Sequence, residues 1–207
     1  MIKRLVVGPL QENCYIVGNG KSCVIIDPGD EADHIINEVE NEHLEVKGIL
    51  VTHGHFDHIG AVNELKSYYH AEVYATKDTS DMMLNWDENL SVMIGGEKYI
   101  VDDVKIIKDT IEVDGLSFQV YETPGHAKGS CLYYYESENA LFTGDTLFRG
   151  GCGRIDFPTG SQIAMMQSLR KIKQLTFDAD VYPGHGPQSK LSLEKRNNPY
   201  LSFWVKK

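Results

Sequence analysis

The sequence is poor in the features that mark secreted and membrane proteins. No apolar run approaches the length of a membrane-spanning helix, and the apolar stretch after Met1 is too short for a signal peptide. Cysteine is scarce, and no two cysteines form a C-x-x-C pair. We therefore expect reduced thiols and a cytoplasmic protein that does not enter a membrane. The cysteines are Cys14, Cys23, Cys131 and Cys152.

Basic residues are also in short supply. The chain carries 20 lysines and arginines against 30 acidic residues, a formal net charge of −10. Because binding along a nucleic acid backbone needs clustered positive charge, this balance argues against a nucleic acid partner. The hydrophobic fraction, 42%, is ordinary for a globular protein, and no linker or low-complexity segment divides the chain. We expect a single α/β domain over residues 1–207, and nothing in the pattern indicates an oligomeric state.

Strand and helix patterns alternate along the chain. Two apolar segments, 14–20 and 23–30, are joined across a glycine turn into a predicted hairpin. Amphipathic spacing predicts helices, with Ile35, Ile36 and Val39 on one face of the first and Ser161 as a later N-cap. The further predicted strands are 46–53, 71–76, 118–124, 131–136, 140–145 and, last in the chain, 181–185. The predicted helices are 31–43, 60–70, 78–94, 161–175 and 192–200, the last interrupted by Pro199.

The segment "ILVTHGHFDHIG", residues 49–60, concentrates potential metal ligands directly after an apolar run. Neutral imidazole and carboxylate are ligands that divalent transition metals accept. Alternate side chains of an extended segment face the same way, so His53 and His55 can reach one ion. If a helix begins near Asp57, then Asp57 and His58 can face a second ion. The spacing therefore predicts a metal site rather than packing histidines.

Three other segments carry a single potential ligand each in the same context. His126 in "TPGH", Asp145 in "TGD" and His185 in "PGHG" all follow a predicted strand and lie in glycine turns. Any one of these motifs alone is usually only a turn. Together with the first motif they supply the ligands that a complete site needs. The other histidines, His34, His43 and His70, lie in polar helical stretches, and we expect them at the surface.

The order and context of these residues resemble the signature of the metallo-β-lactamase superfamily over essentially the whole chain. Within it, "GPLQENCYIV", "TPGHAKGS", "GDTLFRGGCGRIDFP" and "NPYL" resemble the glyoxalase II-like, or hydroxyacylglutathione hydrolase-like, branch. The resemblance implies a four-layer α/β/β/α sandwich with metals at one edge of two sheets. By the same resemblance, full-length glyoxalase II enzymes carry an additional helical domain that contacts glutathione. Few residues follow His185, so we expect that domain to be absent.

The resemblance further implies a set of metal ligands and a reaction. The implied ligands are His53, His55 and His126 for a first divalent transition metal, Asp57, His58 and His185 for a second, and Asp145 as a bridge. A hydroxide held between the metals would attack the carbonyl of a thioester such as S-lactoylglutathione, with Asp57, His58 and Asp145 as the catalytic residues. Zinc is the metal expected first, and the same ligands also suit iron and manganese.

Two other functions remain open at this stage. The same bimetal site could hydrolyse another ester, a lactone or a phosphoester. Alternatively, part of the ligand set could hold a single iron that oxidises a persulfide, as in the dioxygenases of the superfamily. Metal count and identity would separate this last function from the hydrolases. Hydrolysis of β-lactams is not expected, because Asp145 stands where those enzymes usually carry a cysteine.

The roles of four charged residues are also open. Asp27 ends the strand "CVIID" and could steady a ligand histidine, or it could be a turn residue before Pro28. Arg149 and Arg154 lie in a glycine-rich loop, where they could offer charge to an anionic substrate or anchor the loop. Lys128 could attract an acidic substrate or be an ordinary solvated lysine.

Overall fold

A computed structural model describes residues 1–94 and 98–203 of the chain. The described strands are β1 (Ile2–Val7), β2 (Glu12–Gly18), β3 (Ser22–Ile26), β4 (Glu45–Leu50), β5 (Glu72–Ala75), β6 (Val104–Ile106), β7 (Thr110–Val113), β8 (Leu116–Glu122), β9 (Cys131–Tyr135), β10 (Ala140–Gly144), β11 (Leu147–Phe148), β12 (Gly151–Cys152), β13 (Asp180–Pro183) and β14 (Ser189–Lys190). The α-helices are α1 (Ala32–Asn41), α2 (Phe56–Ile59), α3 (Val62–Tyr69), α4 (Lys77–Met83), α5 (Gln162–Gln174), α6 (Leu191–Asn197) and α7 (Pro199–Phe203).

The strands form two mixed sheets of six and a short β11–β12 hairpin. The first sheet has the order β1-β2-β3-β4-β5-β6, antiparallel up to β3 and parallel from β3 to β6. The second has the order β14-β13-β10-β9-β8-β7, in which only β10 and β13 pair in parallel. The predicted hairpin of β2 and β3 is confirmed, with Tyr15 paired to Ile26.

Three apolar clusters hold four layers together. Helices α1 and α3 pack on the outer face of the first sheet through residues such as Ile35 and Leu65. The two sheets face each other across a layer that contains Leu50 and Phe142. Helix α5 covers the outer face of the second sheet, with Leu169 in the third cluster. Each sheet is therefore apolar on both faces, which requires a helical layer outside each sheet. The predicted α/β/β/α sandwich is confirmed.

Strand direction brings several chain segments to one edge of the sandwich. Strands β3 and β4 are parallel, so the segments after both of them leave the first sheet at the same edge. In the second sheet, β10 and β13 are parallel to each other and β8 runs in the same direction, because both β8 and β10 are antiparallel to β9. The segments that carry the seven predicted ligands all follow these strands. The fold itself therefore collects them.

Some local predictions are wrong. The predicted helix 78–94 breaks after α4, because the Asn85 side chain accepts hydrogen bonds from the N–H groups of Asp87 and Glu88 and Leu90 adopts a left-handed φ of 66°. The strand β13 is not the last, since β14 follows it. The short, partly exposed strands β1, β6 and β7 were not predicted. The other predicted helices are present, Ser161 caps α5, and α6 ends before Pro199 as expected.

No described helix is both long enough and apolar enough to cross a bilayer. All four cysteines are free, as expected, and His34, His43 and His70 are exposed. The expectation of a single domain over residues 1–207 stays a prediction.

Candidate metal centre

The seven predicted ligands converge at the sheet edge. Three overlapping groups have ligand atoms that lie within 4.8 Å of one another and could hold metal ions. We call His53, His55 and His126 the histidine group, and Asp57, His58 and His185 the mixed group. The third combines His53, His58 and Asp145 and so links the other two. Assignment of these residues as metal ligands stays a prediction.

The first motif has the backbone that its spacing predicts. His55 is extended, with φ −69° and ψ 149°, and α2 begins at the next residue, so Asp57 and His58 turn onto the helix. Close packing requires glycine beside this turn. A Cβ on Gly29 would lie 1.7 Å from the backbone oxygen of Asp57, and a Cβ on Gly60 would lie 2.2 Å from that of Gly29.

The other three ligands come from turns of the second sheet. Thr123 after β8 pairs with Ser130, and the enclosed turn carries His126. Asp145 follows β10 directly, and the neighbouring turn after β13 approaches so closely that a Cβ on Gly184 would lie 2.4 Å from Asp145 Oδ1. The backbone of His185 in that turn forms an isolated β-bridge with Glu12. The two sheets are thus joined through the site.

Asp145 lies between the two groups of ligands. Its Oδ2 is 3.5 Å from Nε2 of His126 in the histidine group and 3.7 Å from Nε2 of His185 in the mixed group. Its Oδ1 is 3.4 Å from Nε2 of His58. Within the histidine group, Nδ1 of His55 and Nε2 of His126 are 2.9 Å apart. A carboxylate in this position can contact ions in both groups, as the predicted bridge requires.

On His58 and His126, the ring nitrogen that points away from the ligand groups is hydrogen-bonded to the protein. Nδ1 of His58 donates to Oδ2 of Asp27 at 3.0 Å, and Nδ1 of His126 donates to the carbonyl oxygen of Arg154 at 2.8 Å. Asp27 also accepts hydrogen bonds from the N–H and hydroxyl of Thr52. These contacts fix each ring so that Nε2 turns inward, which is how supporting groups orient metal ligands. Of the two roles considered for Asp27, the structure supports the one that steadies a histidine.

The inward atoms fit a metal ion. Nε2 of His53, Nε2 of His58 and Oδ1 of Asp145 are buried, and the described residues offer them no hydrogen-bond partner. Buried polar atoms of folded proteins are nearly always satisfied, because an unpaired one costs about 1–3 kcal/mol. Several unpaired acceptors aimed at one space are the donor set that a divalent cation satisfies. The residues present therefore fit the metals that the sequence predicts.

Burial and mutual charge set the protonation of the site. Burial lowers the pKa of His55 to about 3, and burial together with the neighbouring imidazoles lowers the pKa of His53 well below its usual range. Burial opposes ionisation of Asp57, but the hydrogen bond from His185 and the charges of His58 and His185 together outweigh it and lower the pKa of this carboxyl. Burial also opposes the charge of Asp145, whose pKa is nonetheless lowered by His58. The histidine group thus favours neutral imidazoles, whereas in the mixed group the carboxylates of Asp145 and Asp27 outweigh burial and raise the pKa of His58, whose proton a bound metal would displace.

A cavity of about 400 Å³ opens onto the site and contains both ligands and apolar walls. We call it the catalytic cavity. Its lining residues are Leu10, His55, Phe56, Asp57, Leu90, His126, Asp145, Phe148, Arg154, Phe157 and His185. Arg154 forms a two-pronged ion pair with Asp156, and Lys128 pairs with Glu88. Arg149 is exposed, and no carboxylate of the described residues pairs with it. The ion pair with Asp156 favours a loop-anchoring role for Arg154.

Two supporting residues were missed by sequence reasoning. Asn13 is buried, and its side-chain amide donates to the carbonyl oxygens of Pro183 and Gly186, at 2.9 Å each. Glu12 is buried against His58, with its Oε1 3.7 Å from Nδ1, and burial raises the pKa of its carboxyl well above the usual range. Both lie in the motif "GPLQENCYIV", so the motif was noticed, but no local signal connects them to a turn far along the chain.

Comparison with known proteins agrees with this geometry. The chain is 32% identical to the hydroxyacylglutathione hydrolase GloC of Haemophilus influenzae, over 97% of this chain and 98% of that protein. It is also similar to the crystal structure of the BLEG-1 B3 metallo-beta-lactamase, with TM-score 0.91, 34% identity and coverage of 98% and 100% of the two chains. The crystal structure of TTHA1623 in a di-iron-bound form is similar as well, with TM-score 0.86, 36% identity and coverage of 96% and 100%.

These similarities confirm the predicted resemblance to the glyoxalase II-like branch. At the level of the whole family, residues 7–185 match the metallo-beta-lactamase superfamily, a span that includes every predicted ligand from His53 to His185. The chain therefore belongs to the metallo-β-lactamase superfamily.

Proposed function

We propose that this protein is a metal-dependent hydrolase of thioesters, with S-lactoylglutathione as a representative substrate. The histidine group and the mixed group would each hold one divalent metal, with Asp145 between them. Zinc is the first choice, and iron is a real alternative because the similar TTHA1623 binds two iron ions. A single domain and a cytoplasmic location belong to the same proposal.

One observation carries this proposal. Two three-residue ligand groups, linked through Asp145, form part of the wall of a single cavity. Among the described residues, the lining of that cavity contains no serine, threonine, cysteine, lysine or tyrosine that could act as a nucleophile. Water is therefore the nucleophile that this arrangement suits, and hydrolysis is the reaction. The similarity to GloC, a hydroxyacylglutathione hydrolase, supports a thioester as the substrate.

The chemistry divides between the metals and the chain. Metal ions in these positions supply a lowered pKa for bound water and polarisation of the substrate carbonyl. The protein keeps Asp57 ionised at the cavity wall, where its oxygens can accept the proton of an attacking water. Asp145 holds the two halves of the site together through its contacts with His58 at 3.4 Å and with His126 at 3.5 Å. The aromatic walls formed by Phe148 and Phe157 limit the access of bulk water.

The alternative functions differ in what they need from the site. A mononuclear iron dioxygenase needs only one complete ligand group, so the completeness of the mixed group favours the two-metal hydrolase. Other esters and lactones need the same site as a thioester and remain within the proposal. A β-lactam deserves a direct test, because BLEG-1 is described as a B3 metallo-beta-lactamase and is 34% identical. We still expect no turnover of β-lactams, since Asp145 replaces the cysteine expected for them.

Metal analysis and turnover on one sample test this proposal. Protein purified in air should contain close to two transition-metal ions per chain and should hydrolyse an acyl thioester, followed by thiol release. A strong chelator should abolish hydrolysis, and zinc should restore it. Full activity in a demonstrably metal-free sample contradicts the proposal. A single iron per chain with persulfide-dependent oxygen consumption, and no thioester turnover, would assign the dioxygenase function instead.

A further inference from the structure

The walls of the catalytic cavity are apolar wherever they are not predicted ligands. Besides the ligand residues, the lining consists of one arginine and five apolar side chains, namely Leu10, Phe56, Leu90, Phe148 and Phe157. Apolar walls of this kind bind substrate by removing apolar surface from water, at about 25 cal/mol per Å². They provide no attraction for a charged group. The lining therefore indicates that the protein recognises the apolar part of a thioester substrate.

Arg154, the single arginine of the described lining, already has partners within the protein. Nε and Nη2 of Arg154 donate to the two carboxylate oxygens of Asp156, at 2.6 Å each, and its guanidinium lies 4.2 Å from the centre of the Phe157 ring. An arginine with its own carboxylate and its own ring has little charge left for a substrate carboxylate. Apart from the proposed metals, the described lining of the catalytic cavity therefore offers an anionic thiol carrier no cation that lacks a carboxylate partner. The net charge of −10 adds long-range repulsion of anions.

A second, smaller cavity adjoins the first and extends the apolar surface. This side cavity has a volume of about 170 Å³ and shares Leu10, Phe56 and Asp57 with the catalytic cavity. Its other lining residues are Val7, Gly8, Pro9, Gly29, Asp30 and Tyr99. No lysine or arginine is among these described residues, and their only charged side chains are the carboxylates of Asp30 and Asp57. The side cavity thus accepts an uncharged, apolar group and repels an anionic one.

Leu10 stands where the two cavities meet. The turn that carries it lies between β1 and β2 and is held by a hydrogen bond from Gln11 N–H to the carbonyl oxygen of Gly8. Both Gly8, at φ 65°, and Gln11, at φ 54°, are left-handed, so the turn has a fixed and unusual shape. The Leu10 side chain is nonetheless 50% exposed. A substrate group that passes from one cavity to the other would cover it.

We propose that the thiol carrier of the substrate is uncharged and apolar, that it occupies the side cavity, and that Leu10 determines this specificity. The inference deepens the proposed thioester hydrolysis and rests on it. The carrier, rather than the acyl group, is assigned to the side cavity because that cavity opens beside Asp57, which would accept the proton of the attacking water and return it to the thiolate as the C–S bond breaks. Glutathione, with two carboxylates, is then a tolerated carrier and not the preferred one.

Matched carriers with one acetyl group test the inference. Acetyl thioesters of ethanethiol, propanethiol and butanethiol vary only in carrier length, and those of 3-mercaptopropionamide and 3-mercaptopropionate differ only in charge. The value of kcat/KM should rise with each methylene, by at most about fourfold, which corresponds to full burial of that group. The amide should exceed the carboxylate by about fivefold or more, mainly through a lower KM.

A binding measurement separates recognition from turnover. Ketone analogues, in which a methylene replaces the thioester sulfur, should bind to chelator-treated protein with the same dependence on chain length in calorimetry. Leu10→Ser should flatten the dependence on carrier length in both measurements. Leu193→Ser, which changes a leucine of similar exposure, 43%, outside both cavities, should leave that dependence intact.

The outcomes distinguish the inference from the function on which it rests. If metal-loaded protein hydrolyses none of these thioesters, both the function and the inference are wrong. If it hydrolyses them but prefers the carboxylate or the glutathione thioester, only the inference is wrong. If acyl length rather than carrier length depends on Leu10, the assignment of the carrier to the side cavity is overturned.

Discussion

The histidine group and the mixed group differ in their exposure to solvent. His53, His55 and His126 are buried, with relative exposures of 1%, 2% and 3%. In the mixed group, the side chains of Asp57 and His185 are 15% and 26% exposed. The histidine group is thus the more enclosed, although His55 and His126 reach the cavity wall, and in the mixed group Asp57 and His185 open toward the cavity while His58 stays buried.

The two halves also differ in how they are supported. The histidine group relies on short-range contacts, such as that of Thr52 with the neighbouring His53, and on the Arg154 carbonyl that holds His126. The mixed group relies on buried polar residues from the first sheet, because Asp27 holds His58 and Asn13 holds the turn of His185. We infer that the histidine group binds its metal more tightly and that the mixed group exchanges metal more readily.

The largest effect should come from removing the residue that joins the two halves. In Asp145→Ala, both groups lose a carboxylate that lies within 3.7 Å of their histidines. We expect metal content to fall below one ion per chain and the hydrolysis rate to fall at least about a thousandfold, since metal stabilisation is worth several kcal/mol. Elemental analysis and thiol release measure the two quantities.

The control for this variant is His70→Ala, which removes an exposed histidine far from the ligand groups. It should keep wild-type metal content and rate. If Asp145→Ala retained nearly normal metal and activity, the bridging assignment would be wrong.

A second variant should separate the two halves. Asp57→Ala removes the carboxylate whose Oδ2 lies 3.2 Å from His185 Nε2, and it leaves the histidine group untouched. We expect about one metal ion per chain and a rate reduced by about a hundredfold. His126→Ala should do the reverse and deplete the enclosed half. Equal loss of both metals in the two variants would show that the halves are not independent.

Most of the centre could be predicted from the sequence, because its ligands are local or follow strands. The H-x-H-x-D-H spacing of the first motif predicts an extended segment followed by a helix start. The apolar run before Asp145 predicts the end of a strand. The supporting contacts could not be predicted in the same way. Asn13 binds carbonyl groups about 170 residues away, and that distance is closed only when the two sheets pack face to face.

The errors in secondary structure have a similar cause. The predicted helix was extended across residues 84–90, but local hydrogen bonds to the Asn85 side chain end it, and the asparagines and aspartate of this segment favour turns over helix interiors. Strand β14 has only two residues, and its pairing with β13 is visible only in the folded sheet.

A smaller effect is expected from the support of the mixed group. Asp27→Asn keeps the side-chain volume and tolerates the left-handed backbone at φ 50°, but it weakens the acceptor for His58 Nδ1. Loss of such a supporting contact typically costs 10- to 100-fold in metal affinity. A metal titration with a competing chelator should show weakening of one of the two sites only. Loss of both sites would indicate that Asp27 holds the whole loop rather than one ring.

The smallest effect should come from Asn13, which acts on the mixed group through backbone alone. Asn13→Ala removes two hydrogen bonds to the carbonyl oxygens of Pro183 and Gly186; Pro183 keeps the Tyr15 hydroxyl at 2.6 Å, and Gly186 keeps only the longer contact with Arg4 at 3.4 Å. We expect a loss of about 1–3 kcal/mol in the free energy of unfolding of the metal-free protein. His185 should also lose part of its positioning, so the weaker metal should bind with less than about tenfold lower affinity.

Asn63→Ala is the matched control for this change, because Asn63 also donates from its side chain to a backbone carbonyl, that of Ile100, but at an exposed position. Its effect on unfolding should be smaller, and it should leave both metal affinities unchanged. Denaturant unfolding and a competitive metal titration on the two variants give the comparison. If Asn13→Ala lowered stability without changing the affinity of either metal, the β2 strand would support only the fold. The weaker metal binding inferred for the mixed group would then have to follow from the exposure of Asp57 and His185 alone.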